Sequence, residues 1–330
     1  MLRRRLKTIP ITIVMLIVVT LLAPILLAAT VAVDLIRKLA TGKPMMATRL
    51  LAMGWVYLAA EVGVIVVAGL QWLVSLPFGS RAADKRADWT YGLQSRWVAT
   101  IMAAMRRLFG LRFDIAGEDA AGPGPVVVLF RHASIMDNLL PHAFVSAPAG
   151  LRLRWVLKKE LLRDPALDIG GNRLPNYFVD RASDDPGTER ARIAELGANM
   201  GARDGVLMFP EGTRFSRRRR ERRMKNLASS NSELHDLLAP YAHVLPPKTG
   251  GVLALLDHGT DVVVAAHAGF EELRGIKEVW SNAPVGRTIR VSFRRYAASE
   301  IPGDIEARKR WLFSAWAWVG AEVDAMRAAG

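Results

Sequence analysis

The chain has 330 residues, 51% of them apolar, and its 45 Lys and Arg against 31 acids leave a net charge of +14. That length fits one large domain or two modest ones, and the cation excess points to nucleic acid, an anionic membrane face or a phosphorylated substrate as partner. With no cysteine, disulfides, thiolate metal sites and a thiol nucleophile are excluded.

Thr8 to Val33 carries no charge and follows Arg3, Arg4, Arg5 and Lys7. It covers the roughly 20 residues a helix needs to cross a bilayer core. The run is longer than the apolar core of a signal peptide, so it predicts an uncleaved anchor. A second apolar run, Leu50 to Phe78, is interrupted only by Glu61 and Gln71. Arg37, Lys38, Lys43 and Arg49 lie between the runs, and basic loops are awkward to translocate. Two spanning helices, or a helical hairpin dipping into one leaflet, both fit. The hairpin better accommodates Glu61, because a lone carboxylate at mid-depth costs a few kcal/mol. The expected division is a membrane anchor over 1–88 and a globular domain over 89–330.

From Trp89 onward the pattern is that of an α/β domain. Val126 to Phe130, Gly205 to Phe209 and Asp261 to Ala266 are short apolar runs suited to buried strands. Thr288 to Phe293 alternates as a half-exposed strand does. Asp185-Pro186 has the form of a helix start, with Ile193, Leu196 and Met200 following at helical spacing. Leu312, Ala315, Trp316, Val319, Val323 and Met326 make a long apolar stripe near the C-terminus. Strands alternating with helices predict an α/β fold, a mainly parallel sheet covered by helices.

Three segments carry groups able to do chemistry. Arg131-His132-Ala133-Ser134-Ile135-Met136-Asp137-Asn138 follows the strand ending at Phe130. With His132 in the loop and Asp137 in the first turn of a helix, the carboxylate can hold one imidazole nitrogen while the other takes a proton. Ser134 and Asp137 also fit the S-x-x-D capping box, and the spacing by itself leaves both roles open. Tyr177-Phe178-Val179-Asp180-Arg181 is a strand-like run ending in an acid–base pair, by itself as much a surface ion pair as a site. Phe209-Pro210-Glu211-Gly212-Thr213-Arg214 follows a strand end, where ligands bind in parallel sheets. An arginine there suits a phosphate and a carboxylate suits a polyol.

Taken in order, His-x4-Asp, Phe-x-x-Arg and Phe-Pro-Glu-Gly-Thr-Arg resemble the motifs of the glycerolipid acyltransferase family, whose best-known members are 1-acyl-glycerol-3-phosphate acyltransferases. The resemblance runs from about Phe113 to Arg294. It implies His132 as general base oriented by Asp137, Arg181 on the acceptor's phosphate, and Glu211, Gly212, Thr213 and Arg214 around glycerol and phosphate. It implies transfer of a fatty acyl chain from acyl-CoA or acyl carrier protein to the hydroxyl of a lysophospholipid acceptor, with 1-acyl-glycerol-3-phosphate in first place. No cofactor and no metal are required. Leu245-Pro246-Pro247-Lys248-Thr249-Gly250-Gly251 is similar to a stretch in the branch that includes bacterial inner-membrane enzymes, which implies that location, with the catalytic domain on the cytoplasmic side.

Three positions depart from the family pattern. Arg131 stands where Asn is usual, Pro175 where Gly is usual, and the Asp261–Ala266 run lacks the proline of a fourth motif. An acyl ester or thioester hydrolase is the alternative, since a His–Asp pair also activates water, but the G-x-S-x-G elbow of serine hydrolases is missing from the sequence.

Arg217 to Lys225 reads RRRRERRMK, seven basic residues against one acid. Its simplest reading is a solvated, mobile loop; its functional reading is contact with anionic membrane lipids, ahead of coenzyme A phosphates or an acidic carrier protein. Nucleic acid is not an expected partner. His142, His235, His243, His258 and His267 lack ligand-like spacing and are expected to be structural.

Overall fold

Uncharged sequence has few ways to satisfy its backbone in an apolar medium, and helix is the simplest. In the computed structural model the first 41 residues accordingly form two helices, α1 (Leu2–Leu21) and α2 (Ala23–Thr41), bent by 70°. The first apolar run is therefore not one straight anchor. The cause is Pro24, which stands in the first turn of α2; it has no N–H and its ring crowds the carbonyl four residues back. The structure describes residues 1–179, 186–271, 273, 276–282 and 284–329, and the chain divides into two compact units.

The first unit comprises Met1–Leu111, Leu157–Asn176 and Ile276–Arg287. Besides α1 and α2 it holds α3 (Ala47–Ser75) and α4 (Ala83–Phe109), and α4 carries the chain without a break through residues 88 and 89. The stretch Ala47–Gly79, 33 residues, is long and apolar enough to cross a membrane. Helix α1 buries none of its residues, and large apolar side chains of α1 and α2 stand exposed. Burying them in a lipid phase is the natural way to remove that surface from water.

Several charges of this unit bind its own backbone or one another. The Asp34 carboxylate accepts the N–H groups of Met46, Ala47 and Thr48 at 2.8–2.9 Å, capping the start of α3. Glu61, buried on α3, accepts the Ala166 N–H at 3.2 Å, in the first turn of the helix Pro165–Gly171. A carboxylate at a helix N-terminus meets positive partial charge, which accounts for a lone acid within an apolar run. Arg4 and Arg5 both bind the buried Asp168, at 2.6 and 3.1 Å. These two N-terminal arginines therefore hold the unit together.

The second unit comprises Arg112–Val156, Tyr177–Gly275 and Thr288–Gly330. Its strands are β1 (Arg112–Ala116), β2 (Val126–Phe130), β3 (Arg152–Lys158), β4 (Tyr177–Val179), β5 (Asp204–Met208), β6 (Asp261–Ala268) and β7 (Thr288–Tyr296). They form one sheet in the order β1-β7-β6-β2-β5-β3-β4. β6, β2, β5 and β3 run parallel, and β7 reverses against β6. The central strands are buried on both faces, which is why they read as unbroken apolar runs. The stripe along the C-terminal helix Ile305–Ala328 is buried in the same core as Val262, Val264 and Ala266 of β6. The helix Pro186–Gly197 buries Ile193 and Leu196 but ends before Met200; the cap expected at Asp185 lies outside the described residues.

Two strands were not expected from the sequence. In β3, Arg152, Arg154 and Lys158 alternate with buried Leu153, Trp155 and Leu157, so charge masks a strand with one face inward. In β1 the same masking comes from Arg112 and Asp114 at the sheet edge.

Candidate active site

Parallel neighbours put their C-terminal ends on one edge of a sheet. Three adjacent strands, β5, β2 and β6, do so here: Leu129 pairs with Met208 on one side and Val264 on the other. The loops leaving them carry Glu211, then His132 and Asp137, then Glu271.

The turn after β2 is built by one carboxylate. Oδ2 of Asp137 accepts the backbone N–H of Ala133 at 2.5 Å and of Ser134 at 2.6 Å, and lies 3.2 Å from Nδ1 of His132. Asp137 sits in a short 3-10 turn, Met136–Asn138, and is fully buried, whereas the His132 side chain keeps 12% of its surface exposed. The two roles left open by the spacing thus coexist: Asp137 ties the turn and holds the imidazole. The ring rests on Phe209, 4.5 Å between centroids, and the His132 carbonyl accepts the Phe215 N–H at 2.7 Å. The first and third motif loops are therefore bonded to each other.

The third motif turns on Gly212, whose φ of 62° is left-handed and favours glycine. A Cβ there would come within 3.2 Å of the Lys248 side chain. The Gly212 N–H donates to the Phe209 carbonyl at 2.8 Å. That N–H and those of Ala133 and Ser134 are thus engaged, so none of the three is an oxyanion donor in this arrangement. Thr213 and Arg214 are partly exposed. Glu211 is fully buried, and among the described residues neither carboxyl oxygen makes a full hydrogen bond, the Leu245 N–H acting only as a nearby positive dipole. Burial pushes its pKa up to about 8, against the pull of Arg131, the Leu245 N–H and Arg223.

This raised pKa carries a sign. The unfolded chain loses the Glu211 proton near 4.5 and the folded chain near 8. Between those values the folded form holds one more proton, so stability falls as pH rises. Glu211→Gln removes that dependence. The expected result is a shallower loss of thermal stability between about pH 4.5 and pH 8 than in the parent; equal slopes would show that Glu211 is ionised in the folded protein.

Behind His132 lies a buried ionic set that sequence reasoning missed. Arg131, fully buried, donates to Oε1 of Glu271 at 2.7 Å, to the His267 carbonyl at 2.6 Å and to the His243 carbonyl at 2.8 Å. Burial alone would raise the pKa of Glu271, but Arg131 outweighs it and holds the group at about 2. His267 on β6 is also buried, with Nε2 3.1 Å from the Arg131 carbonyl and 3.6 Å from Oδ1 of Asp137. Burial pushes its pKa down, so it stands neutral behind the aspartate. Arg131 therefore fixes the strand edge instead of facing a substrate. The one available signal was a charge directly after an all-apolar strand, which needs a buried partner.

The basic run is not a mobile loop. It forms the helix Arg217–Ser230, capped by Ser216. Arg220 donates to the Tyr241 carbonyl at 2.9 Å and Arg223 to the Glu211 carbonyl at 2.8 Å. Arg217, Arg218, Arg219, Arg222 and Lys225 remain exposed. Arg181 lies outside the described residues.

Residues 112–266 match the family model described as Acyltransferase. Among solved structures, the 1-acyl-sn-glycerophosphate (LPA) acyltransferase PlsC from Thermotoga maritima has a similar fold, with a TM-score of 0.56 and 18% identity over 85% of this chain and 96% of that one. No curated protein matches the sequence.

Proposed function

We propose that this protein transfers a fatty acyl chain from an acyl thioester to the free hydroxyl of a lysophospholipid, with 1-acyl-glycerol-3-phosphate as acceptor and phosphatidic acid as product. The observation that carries the reading is the His132–Asp137 pair, 3.2 Å apart, together with the buried carboxyl of Glu211, which makes no full hydrogen bond among the described residues. With Nδ1–H donating to Asp137, Nε2 has a lone pair for the acceptor's hydroxyl proton. The hydroxyl oxygen attacks the thioester carbon as that proton moves to Nε2. Collapse of the tetrahedral intermediate breaks the C–S bond, and the thiolate takes the proton back from His132. General-base catalysis of this kind contributes about 10²–10⁴-fold, and positioning supplies much of the remainder.

The other motif residues suit a phosphorylated glycerol. A protonated Glu211 offers both a donor and an acceptor to hydroxyl or phosphate oxygens and does not repel the phosphate's charge. Arg214, two residues before the capped basic helix, supplies a guanidinium that matches phosphate geometry, and Arg181 is assigned the same ligand. The five exposed cations of that helix attract anionic headgroups, each contributing on the order of 1 kcal/mol near such a surface.

The test is an acceptor panel with one labelled acyl-CoA: lysophosphatidic acid, a headgroup-bearing lysophospholipid, glycerol 3-phosphate and a glycolipid. Lysophosphatidic acid is expected to give the highest kcat/KM. Arg214→Ala is expected to raise its KM about tenfold or more, since hydrogen bonds to charged groups contribute about 1.5–3 kcal/mol, with a smaller change in kcat. A better turnover with a headgroup-bearing acceptor, unaffected by Arg214→Ala, would reassign the acceptor.

A further inference from the structure

The first unit contains a cavity lined entirely by its own helices α1 to α4. It measures about 610 Å³, within the range of about 300–1,000 Å³ typical of small-molecule sites. Val19 and Leu27 line it from either side of the α1–α2 bend, Ala52 and Trp55 from α3, and Ala103 and Arg107 from α4. On α4 the lining residues recur at helical spacing, so one face of the helix forms a wall. The polar groups in that wall are already satisfied: the Trp55 indole N–H donates to Thr20 Oγ1 at 3.0 Å, and the Thr100 hydroxyl to the Arg96 carbonyl at 2.8 Å. The space is half open and its walls are mainly apolar, so water finds few partners on them and hydrocarbon suits them better.

Arg107 is the exception. It is exposed, lies in the last turn of α4, and has no hydrogen-bond or ion-pair partner among the described residues. Of the acids on the facing helices, Asp34 is buried against three N–H groups of α3 and Glu61 is buried against the Ala166 N–H, and neither pairs with it. Arg49 in the first turn of α3 donates to the Leu108 carbonyl, which places a second cation at the same end of the cavity. An apolar slot ending at a guanidinium without a partner among the described residues matches an amphiphile with hydrocarbon at one end and a phosphate at the other.

We propose that this cavity binds one anionic phospholipid of the surrounding bilayer, with an acyl chain between the α1–α2 bend, α3 and α4 and its phosphate on Arg107. Its lining residues all belong to the first unit and His132 to the second, and the test reads binding without turnover.

The test uses the full chain in phosphatidylcholine nanodiscs doped with phosphatidylglycerol carrying a photoactivatable acyl chain, with adducts mapped by peptide mass spectrometry. Adducts are expected on the α3 and α4 peptides that contain Ala52 and Ala103. Arg107→Ala is expected to lower that labelling about fivefold, the effect of one cation at an anionic lipid surface. Ala52→Phe combined with Ala103→Phe is expected to abolish it by filling the slot. Labelling of outward residues such as Ile11 and Val14 on α1 serves as the folding control and is expected to persist in every variant. Equal labelling by a phosphatidylcholine analogue, or labelling unchanged in Arg107→Ala and in the filled variant, would overturn the proposal.

Discussion

Replacing His132 by alanine is expected to lower kcat/KM for acyl transfer by about 10²–10⁴-fold, the usual contribution of a positioned general base. The turn around it is held by Asp137 through the N–H groups of Ala133 and Ser134, and those bonds do not involve the imidazole. The fold should therefore survive. What the variant loses structurally is the ring contact with Phe209, an interaction of about 1 kcal/mol. Thermal stability and membrane retention are expected to stay close to those of the parent. Full activity in a folded His132→Ala protein would refute the general-base role. Asp137 is a poorer probe of chemistry, because its removal also releases two backbone N–H groups and loosens the turn.

The largest loss of stability is expected from Glu271→Ala. Arg131 is fully buried, and Glu271 is the acid it pairs with directly among the described residues. Removing the acid leaves an uncompensated buried charge, which costs about 3–5 kcal/mol. For a domain of this size that corresponds to a fall in apparent melting temperature on the order of 10 °C. Removing both charges is a different matter, since apolar replacement of a whole buried pair is often neutral. Arg131→Met with Glu271→Leu is thus expected to recover most of the stability lost by the single variant. A thermal unfolding series of the parent, the single and the double variant checks both statements. A melting temperature for Glu271→Ala within about a degree of the parent would show that the pair does not hold the strand edge.

Legibility in the sequence followed burial. β2 and β6 are apolar on both faces and could be read directly from Val126–Phe130 and Asp261–Ala266. β3 could not, because Arg152, Arg154 and Lys158 sit on its outward face. Pro24 was visible, yet an uncharged run dominates the reading of an anchor, and the 70° bend it imposes went unread. The motif residues His132, Asp137 and Glu211 were legible because chemistry restricts residue type near strand ends. Glu271 and His267 were not, because their nearness to His132 depends on β6 lying beside β2, a fact of sheet order. The return of Leu157–Asn176 to the helical unit is equally hidden. It rests on contacts between residues far apart in the chain: Ala166 and Ile169 pack against Val64, Ala68 and Leu93, Glu61 binds the Ala166 N–H, and Arg4 and Arg5 bind Asp168. The basic run misled in a simpler way. Charge suggests solvent, but two of its arginines turn inward onto backbone carbonyls and fix a helix beside the Glu211 turn.

The central claim is that His132 activates an alcohol, not water. Incubating the protein with acyl-labelled acyl-CoA, with and without lysophosphatidic acid, tests it most directly. The expected result is acyl release only when the acceptor is present, with the label recovered in phosphatidic acid. Equal release as free fatty acid in the absence of acceptor would contradict it and make the protein a hydrolase.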